Sequence, residues 1–155
     1  MYLYLIRHGD AAMKEADATR ALTDVGRAES ERVAAWLAHT LVCRAPHVYH
    51  SGIARAAQTA AIIAAPFRGA TVEVGPDLAP DAEPALWAKR LAKTAHDLML
   101  VGHFPHLIRL ASLLITGQTE PQVLALEKAG VACLVRDDNR TWTLRWLVQP
   151  SVLGG

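Results

Sequence analysis

Apolar and polar positions along this chain alternate between short apolar runs and longer stretches in which apolar residues recur at helical spacing. Short runs rich in β-branched, aromatic or aliphatic side chains, bounded by polar or turn residues, are typical of strands. The pattern therefore predicts six strands, at residues 2–6, 47–50, 71–74, 98–101, 131–136 and 142–148.

The stretches between the first strands have the spacing of amphipathic helices. Val33 and Leu37, for example, fall on one face of the first of them. Thr23 has the side chain of a helix N-cap, and Pro84 occupies a first-turn position where proline is tolerated. The predicted helices are a segment after Thr23 that runs to about Leu41, residues 56–65, residues 84–95, and an apolar segment that follows a turn at 102–105 and ends near Gly117.

Strands that alternate with helices favour right-handed β-α-β units and a largely parallel sheet. The last two strands lack an intervening helix and are joined by a short polar stretch, which predicts a hairpin that adds an antiparallel edge strand. The predicted fold class is thus α/β, a three-layer α/β/α sandwich. The chain has 155 residues, a length that suits a single domain over 1–155.

Charge and cysteine content exclude several classes of protein. The net charge is +1, so nothing favours a nucleic-acid or membrane-surface binder, and no apolar run has the length of a membrane span or a signal sequence. Cys43 and Cys133 are far apart and in no metal-binding pattern, as expected for reduced thiols in a cytoplasmic protein. No surplus of apolar surface is evident, which favours a monomer.

Polar, phosphate-compatible residues follow three of the predicted strands. They are Arg7-His8-Gly9, then Ser51 to Arg55, then Gly102-His103. Because the carboxyl ends of parallel strands lie on the same side of a sheet, these segments are expected to converge. Two arginines, two histidines and nearby helix N-termini around one point would bind a dianion such as phosphate.

The chain resembles the histidine phosphatase superfamily, which has the phosphoglycerate mutase-like fold, and above all its short SixA-like phosphohistidine phosphatase branch. The matching stretches are residues 5–11, Leu22-Thr23 with Gly26, Ser51 with residues 55–59, and residues 101–105. They follow the family's order and spacing and span most of the chain.

The resemblance implies a role for each of the converging residues. His8 would attack phosphorus through Nε2 and form a phosphohistidine intermediate, with its Nδ1–H held by a backbone carbonyl. Arg7 and Arg55 would bind phosphoryl oxygens, and His103, protonated beside the phosphate, would complete the catalytic set. The substrate-binding set adds Gly9, Ser51, Gly102 and Arg20, although Arg20 fits a solvated loop position equally well.

Neither a metal nor a cofactor is expected. His47 with His50, and His103 with His106, have a spacing that a metal could use, but no carboxylate or cysteine completes either pair. Phosphoryl transfer depends mainly on positioning and charge stabilisation, which the predicted residues supply.

One departure from the family pattern concerns the acid that protonates the leaving group. Where many members have Leu-x-Glu, this chain has Leu78-Ala79-Pro80, and Asp77, Asp81 or Glu83 could substitute. An imidazole leaving group needs that proton less than an alkoxide does. The absence of an acid at the family position therefore favours phosphohistidine in a protein as substrate. The loops from Gly9 to Leu22 and from Gly75 to Pro84 are short, which favours an open groove over an enclosed site.

The natural partners, by resemblance, are phosphorelay or phosphotransfer proteins that carry phosphohistidine. Two alternatives stay open: a phosphomonoesterase for a small metabolite, and a phosphate-binding module without turnover.

Overall fold

Six strands form one sheet in the computed structural model, which describes residues 1–15, 19–40 and 47–154. The strands are β1 (Tyr2–Arg7), β2 (His47–His50), β3 (Thr71–Val74), β4 (Leu98–Gly102), β5 (Val131–Arg136) and β6 (Trp142–Val148). The helices are α1 (Asp24–Thr40), α2 (Ala54–Ala64), α3 (Pro84–Lys93) and α4 (His106–Thr116), followed by a 3₁₀ turn at Pro150–Val152. All six strands and four helices predicted from the sequence pattern are present.

The strand order in the sheet is β3-β2-β4-β1-β5-β6. Strands β1 to β4 pair in parallel, whereas β5 pairs antiparallel with β1, and β6 antiparallel with β5. The hairpin thus supplies the antiparallel edge that the sequence predicts. The parallel strands β1 and β4 lie side by side at the centre, so their carboxyl ends are neighbours.

Alternate residues of β1 bury themselves on opposite faces of the sheet, as the two-residue period of a strand requires. Leu3 and Leu5 belong to an apolar cluster with α3 and α4, while Tyr4 and Ile6 belong to a second cluster with α1 and α2. Helices therefore cover both faces, and the three-layer α/β/α sandwich is confirmed. No helix within the described ranges is long and apolar enough to cross a bilayer.

The helix boundaries are close to those predicted, with physical reasons for the differences. Thr23 caps α1 as expected, since its Oγ1 accepts the Gly26 N–H at 3.0 Å. Helix α2 begins at Ala54, two residues earlier than predicted, because the extended Ile53 directly before it accepts the first helical hydrogen bonds at its carbonyl. Helix α4 ends at Thr116 and is capped by Gly117, whose φ of 81° suits glycine.

Only one of the two cysteines, Cys133, lies within the described residues. Cys133 is fully buried in β5, and burial raises the pKa of its thiol to about 12, so it acts as a packing residue. Cys43, like Leu41 at the predicted end of the first helix, lies outside the described residues.

Candidate active site

The three predicted strand ends meet at one edge of the sheet. Arg7 and Gly102 are register partners as the last residues of β1 and β4. The His8 N–H then donates to the Gly102 carbonyl at 3.0 Å, so the chain after β1 stays bound to the neighbouring strand. Ser51 follows β2 on the other side of β4. This arrangement brings His8, His103 and Ser51 together.

Two hydrogen-bond partners hold the imidazole of His8 in the same tautomer, with the proton on Nδ1. Its Nδ1 lies 2.7 Å from the Gly9 carbonyl oxygen, which can only accept, so Nδ1 carries the proton. Its Nε2 lies 3.3 Å from Nε of Arg55, which can only donate, so Nε2 presents a lone pair. Burial lowers the pKa of His8 to about 4, and the charges of Arg55, Arg7 and Lys128 act in the same direction. His8 is therefore neutral at physiological pH, with Nε2 unprotonated.

Two guanidinium groups from different elements act on His8, Arg55 by direct contact and Arg7 through its charge. Arg55 projects from the first turn of α2, and Arg7 lies at the end of β1, where its Nη1 donates to the Leu126 carbonyl at 2.9 Å. The Arg7 guanidinium also stacks 3.9 Å from the ring centroid of Phe104. Burial lowers the pKa of both arginines, and a guanidinium group is not deprotonated in proteins. Their donors can bind the oxygens of a phosphoryl group in the bidentate geometry that suits arginine.

His103 faces His8 across the site, with ring centroids 5.0 Å apart. Its Nε2 lies 2.6 Å from Ser51 Oγ, while its buried Nδ1 has no hydrogen-bond partner within the described chain. Burial lowers the pKa of His103 to about 3, helped by His8 and Arg55. The sequence resemblance implies a protonated His103 beside phosphate. In the free protein it is neutral, so protonation would have to accompany binding of a dianion.

Gly9 lets helix α1 approach the end of β1 and the two residues after it, a segment that we call the catalytic turn (residues 7–9). A Cβ atom at Gly9 would stand 2.7 Å from the Gly26 carbonyl and 2.8 Å from Ser30 Oγ, so no larger residue fits. The Gly9 N–H donates to Thr59 Oγ1 at 3.0 Å. The turn is thereby fixed between α1 and α2, which explains why glycine follows the histidine.

The carboxylates considered as leaving-group acids are mostly engaged elsewhere. Asp77 forms an ion pair with Arg90 at 2.6 Å, and the Glu83 side chain caps α3 by accepting the Ala85 N–H. Asp81 is exposed in the same loop and has no hydrogen bond or ion pair within the described chain. Of the three, Asp81 is thus the carboxylate that no contact among the described residues holds in place.

Burial is the main cause that lowers the pKa of Arg55, and the charge of Arg20 adds to it, so Arg20 lies close to the site. Its Nε donates to the Ala12 carbonyl at 3.1 Å, in a loop where Arg20 has a φ of 51°. This places it at the border of the site, with a structural contact of its own.

Sequence reasoning missed the segment before β5, which forms a further wall. Besides the Leu126 carbonyl that holds Arg7, this segment carries Lys128, whose Nζ lies 2.6 Å from Asp10 Oδ1. The segment has no helix or strand, so no periodicity marks it. Only the position of Asp10, two residues after His8, could have pointed to a partner here.

The arrangement can bind a phosphoryl dianion and present an unprotonated nitrogen to it. The Arg55 guanidinium contacts His8, the charge of Arg7 also acts on that ring, and a second imidazole faces it. Arg55 belongs to the first turn of α2, so the N-terminus of that helix is adjacent. Within the described ranges, no group of three His, Cys, Asp or Glu side chains is placed to hold a metal ion.

Comparisons with known proteins give a consistent result. The family model described as the histidine phosphatase superfamily (branch 1) matches residues 3–80. A search of curated proteins finds no match to the sequence. Among solved structures, the protein histidine phosphatase SixA complexed with tungstate is 27% identical with a TM-score of 0.84, and the match covers 99% of each chain.

Other solved structures share the fold. A SixA protein from Agrobacterium tumefaciens is 26% identical with a TM-score of 0.78, over 96% of this chain and 98% of that one. The alpha-ribazole phosphatase from Shigella flexneri has the same TM-score of 0.78 at 18% identity, over 97% of both chains. At that identity the likeness speaks for the fold alone.

Proposed function

The chain belongs to the histidine phosphatase superfamily, and from this premise we propose that it hydrolyses phosphohistidine in proteins through a covalent intermediate on His8. The observation that carries the proposal is the hydrogen bonding of His8. A backbone carbonyl fixes the proton on Nδ1, and Nε2 is left as a neutral nucleophile beside the Arg55 guanidinium, with the charge of Arg7 also acting on the ring. A histidine with only a structural role gains nothing from an unprotonated nitrogen held among cations.

The reaction proceeds in two displacements at phosphorus. Nε2 of His8 attacks, the P–N bond to the substrate imidazole breaks, and that nitrogen leaves with its electron pair and takes up a proton. Water then attacks the phosphorus on His8 and releases one proton to solvent, which balances the proton taken up by the substrate imidazole. The new P–N bond breaks, and inorganic phosphate leaves while Nε2 regains its lone pair. Arg7 and Arg55 bind the oxygens on which negative charge is concentrated in both transition states.

His103 and Ser51 complete the phosphoryl site in this proposal. A neutral His103 becomes a donor when a dianion binds, because the negative charge favours the protonated ring. Ser51 Oγ can rotate to accept from that ring, having either role available to a hydroxyl. Gly9 contributes by fixing the catalytic turn between α1 and α2, and Gly102 by accepting the His8 N–H at its carbonyl.

Two features support a protein phosphohistidine over a small phosphate ester. Asp77 and Glu83 are tied up in structural contacts, and an imidazole leaving group depends less on a strong acid than an alkoxide does. The loop that carries them is also held down, since Leu78 is buried in the core and Trp87 Nε1 donates to the Pro76 carbonyl. The loop borders the site at Gly102, but its nine residues between β3 and α3 are a short connection, which favours a groove that is open to a protein surface. Phosphorelay or phosphotransfer proteins in the cytoplasm are the partners that this substrate class implies.

The test compares a phosphohistidine carrier protein with a panel of small phosphate esters, using wild type and His8→Ala in the presence of a chelator. We expect fast loss of phosphohistidine by wild type, slow ester hydrolysis, and no turnover by His8→Ala. The variant should stay folded, because His8 follows the end of β1 and belongs to neither apolar cluster of the core, and its thermal melting would be recorded alongside. Full activity in folded His8→Ala would rule out the covalent mechanism.

A phosphomonoesterase is the second candidate, favoured by one observation. Asp81 is an exposed carboxylate without a partner in the described chain, in the loop where an acid is expected. Ester turnover that drops in Asp81→Asn, but not in the matched exposed variant Asp138→Asn, would support this reading. Binding of tungstate without turnover of either substrate class would instead favour a non-catalytic module.

A further inference from the structure

Phe104 lies beside the catalytic turn, and the proposed mechanism gives it no role. It is the second residue after the end of β4, and its ring lies over the guanidinium of Arg7, with 3.9 Å between Cζ and the ring centroid. An aromatic face attracts a cation, and the attraction grows as the cation loses its water. Burial lowers the pKa of Arg7, so this guanidinium is partly desolvated. The contact therefore stabilises Arg7 and fixes the plane of its guanidinium.

A hydrogen bond fixes the same guanidinium within its plane. Arg7 Nη1 donates to the Leu126 carbonyl at 2.9 Å. One contact on the face and one hydrogen bond in the plane are enough to set the orientation of a planar group. Arg7 is therefore oriented by the protein itself, as a group that binds a transition state requires.

The opposite edge of the Arg7 guanidinium is left for a ligand. Its Nε is buried and has no hydrogen-bond partner within the described chain. A buried donor without a partner is unfavourable and calls for an explanation, which a bound acceptor provides. In a guanidinium, Nε–H and one N–H of Nη2 form a fork that matches two oxygens of a phosphoryl group. The edge that carries Nε is thus the one suited to an oxyanion.

The ring of Phe104 is held by the protein core. It is partly buried and packs against the apolar cluster that joins the sheet to α3 and α4. The turn that carries it is closed by the Leu107 N–H, which donates to the His103 carbonyl at 3.0 Å. Phe104 therefore offers Arg7 a fixed aromatic surface, whereas an aliphatic side chain at this position would not attract the cation.

We propose that Phe104 is a positioning residue whose ring holds the Arg7 guanidinium with its Nε edge turned to the phosphoryl group. The inference rests on the proposed function for the nature of the ligand, and it goes beyond that function by assigning a role to a residue that acts through Arg7. Without the ring, Arg7 would divide its time among several rotamers. The apparent affinity for an oxyanion would then fall with the fraction of molecules in the competent orientation.

The test measures tungstate binding by calorimetry in wild type, in Phe104→Met, and in a protein with a ring-fluorinated phenylalanine at position 104. Fluorine withdraws electrons from the ring face and weakens its attraction for a cation, while the ring keeps nearly the same shape. We expect tungstate affinity to fall about fivefold in Phe104→Met and about threefold in the fluorinated protein, the scale of one such contact. The same fluorinated residue in place of Phe67, which is buried in the cluster with α1 and α2, should leave the affinity unchanged.

A double-mutant cycle with Arg7→Gln determines whether Phe104 acts through Arg7. Once the guanidinium is removed, Phe104→Met should cause no further loss of tungstate affinity. An equal loss in both backgrounds would overturn the inference, since the ring would then act on the ligand or on another group. Wild-type affinity in the protein fluorinated at position 104 would also overturn it, because a ring that only fills space is insensitive to its charge distribution. If thermal melting shows that Phe104→Met does not fold, the fluorinated protein decides the question.

Turnover of the phosphohistidine carrier, measured in parallel, separates this inference from the proposed function. A wild type that binds tungstate with the expected dependence on Phe104, but hydrolyses no phosphohistidine, would refute the proposed function and support the role of Phe104. An active wild type whose tungstate affinity is unaffected by fluorination at position 104 would refute the role of Phe104 alone.

Discussion

The two histidines that face each other across the site are held in different ways. His8, on the side of β1 and α2, has each ring nitrogen bonded to a partner with a single role: a carbonyl that accepts and a guanidinium that donates. His103, on the side of β4 and α4, has one nitrogen on a serine hydroxyl and the other without a partner in the described chain. A hydroxyl can donate or accept, so it does not choose a tautomer.

This difference suits the two roles that the proposed mechanism assigns. A nucleophile must present the same lone pair before each reaction, and fixed partners provide that without any rearrangement. His103, which becomes protonated when a dianion binds, must be able to take up a proton. One side of the site is thus preset, and the other can respond to the ligand.

Among the substitutions that test this comparison, removal of the Arg55 side chain should lower activity most, because Arg55 holds the His8 ring. In Arg55→Ala the lone pair of His8 loses its neighbour and the transition state loses a pair of donors. We expect kcat/KM for phosphohistidine to fall by about 10²–10³-fold, as for loss of a principal charge-stabilising group. Steady-state kinetics would measure this, with Arg27→Ala, an exposed arginine of α1, as the control that keeps wild-type activity.

Removing the Ser51 hydroxyl should affect the responsive side less. In Ser51→Ala, His103 keeps its place because packing buries it almost completely, while one hydrogen bond is lost. We expect a loss of about tenfold, the scale of one hydrogen bond to a charged group. A loss as large as that of Arg55→Ala would mean that both sides are equally preset.

Much of this arrangement follows from local sequence. Arg7-His8-Gly9 comes directly after an apolar run, and the parallel strands inferred from the alternating pattern imply that this segment lies near Ser51 and His103. The N-cap at Thr23 and the helix end at Gly117 depend on side-chain chemistry within a few residues. Such features are readable because their causes are close in sequence.

Contacts between distant and irregular segments could not be predicted in this way. The carbonyl that holds Arg7 belongs to Leu126, which lies in a segment without periodicity. The pairing of Asp10 with Lys128 joins residues 118 positions apart, and it depends on where the irregular segment before β5 lies relative to the end of β1. The unprotonated state of His103 in the free protein results from burial, which no motif records.

The protonation states of the two histidines can be measured directly by NMR. Burial lowers the pKa of His8 to about 4 and that of His103 to about 3, so both rings should be neutral from pH 7 down to about pH 5. Nitrogen-15 spectra should show His8 with its proton on Nδ1. Tungstate, a phosphate-like oxyanion, should raise the pKa of His103, because the anion favours the charged ring.

Assignment by His8→Asn and His103→Asn makes this measurement specific. A His8 ring that titrates near its ordinary value of 6.5, or that carries its proton on Nε2, would contradict the preset side of the comparison. A His103 whose titration ignores tungstate would contradict the responsive side.

The smallest effect is expected at His106, which extends the responsive side into the core. Its ring is fully buried and neither nitrogen has a partner in the described chain. Burial lowers its pKa to about 4; Arg109 adds to this effect, while Asp77 and Glu83 oppose it. In the unfolded chain the ring titrates at its ordinary value of 6.5. The unfolded state therefore binds more protons between these values, and stability falls as pH drops through this window.

Replacing His106 by leucine should remove that part of the pH dependence. Between pH 7 and pH 5, wild type should lose about 1–2 kcal/mol more unfolding free energy than His106→Leu. Urea denaturation at the two pH values would measure the difference, and His96→Leu, at an exposed histidine, should behave as wild type. An unchanged pH dependence in His106→Leu would mean that the ring is already satisfied, by water or by a shift of its surroundings. Among the described residues of β4 and α4, His103 would then be the histidine that keeps an unpaired ring nitrogen. Uptake of a proton on ligand binding would be confined to the site itself.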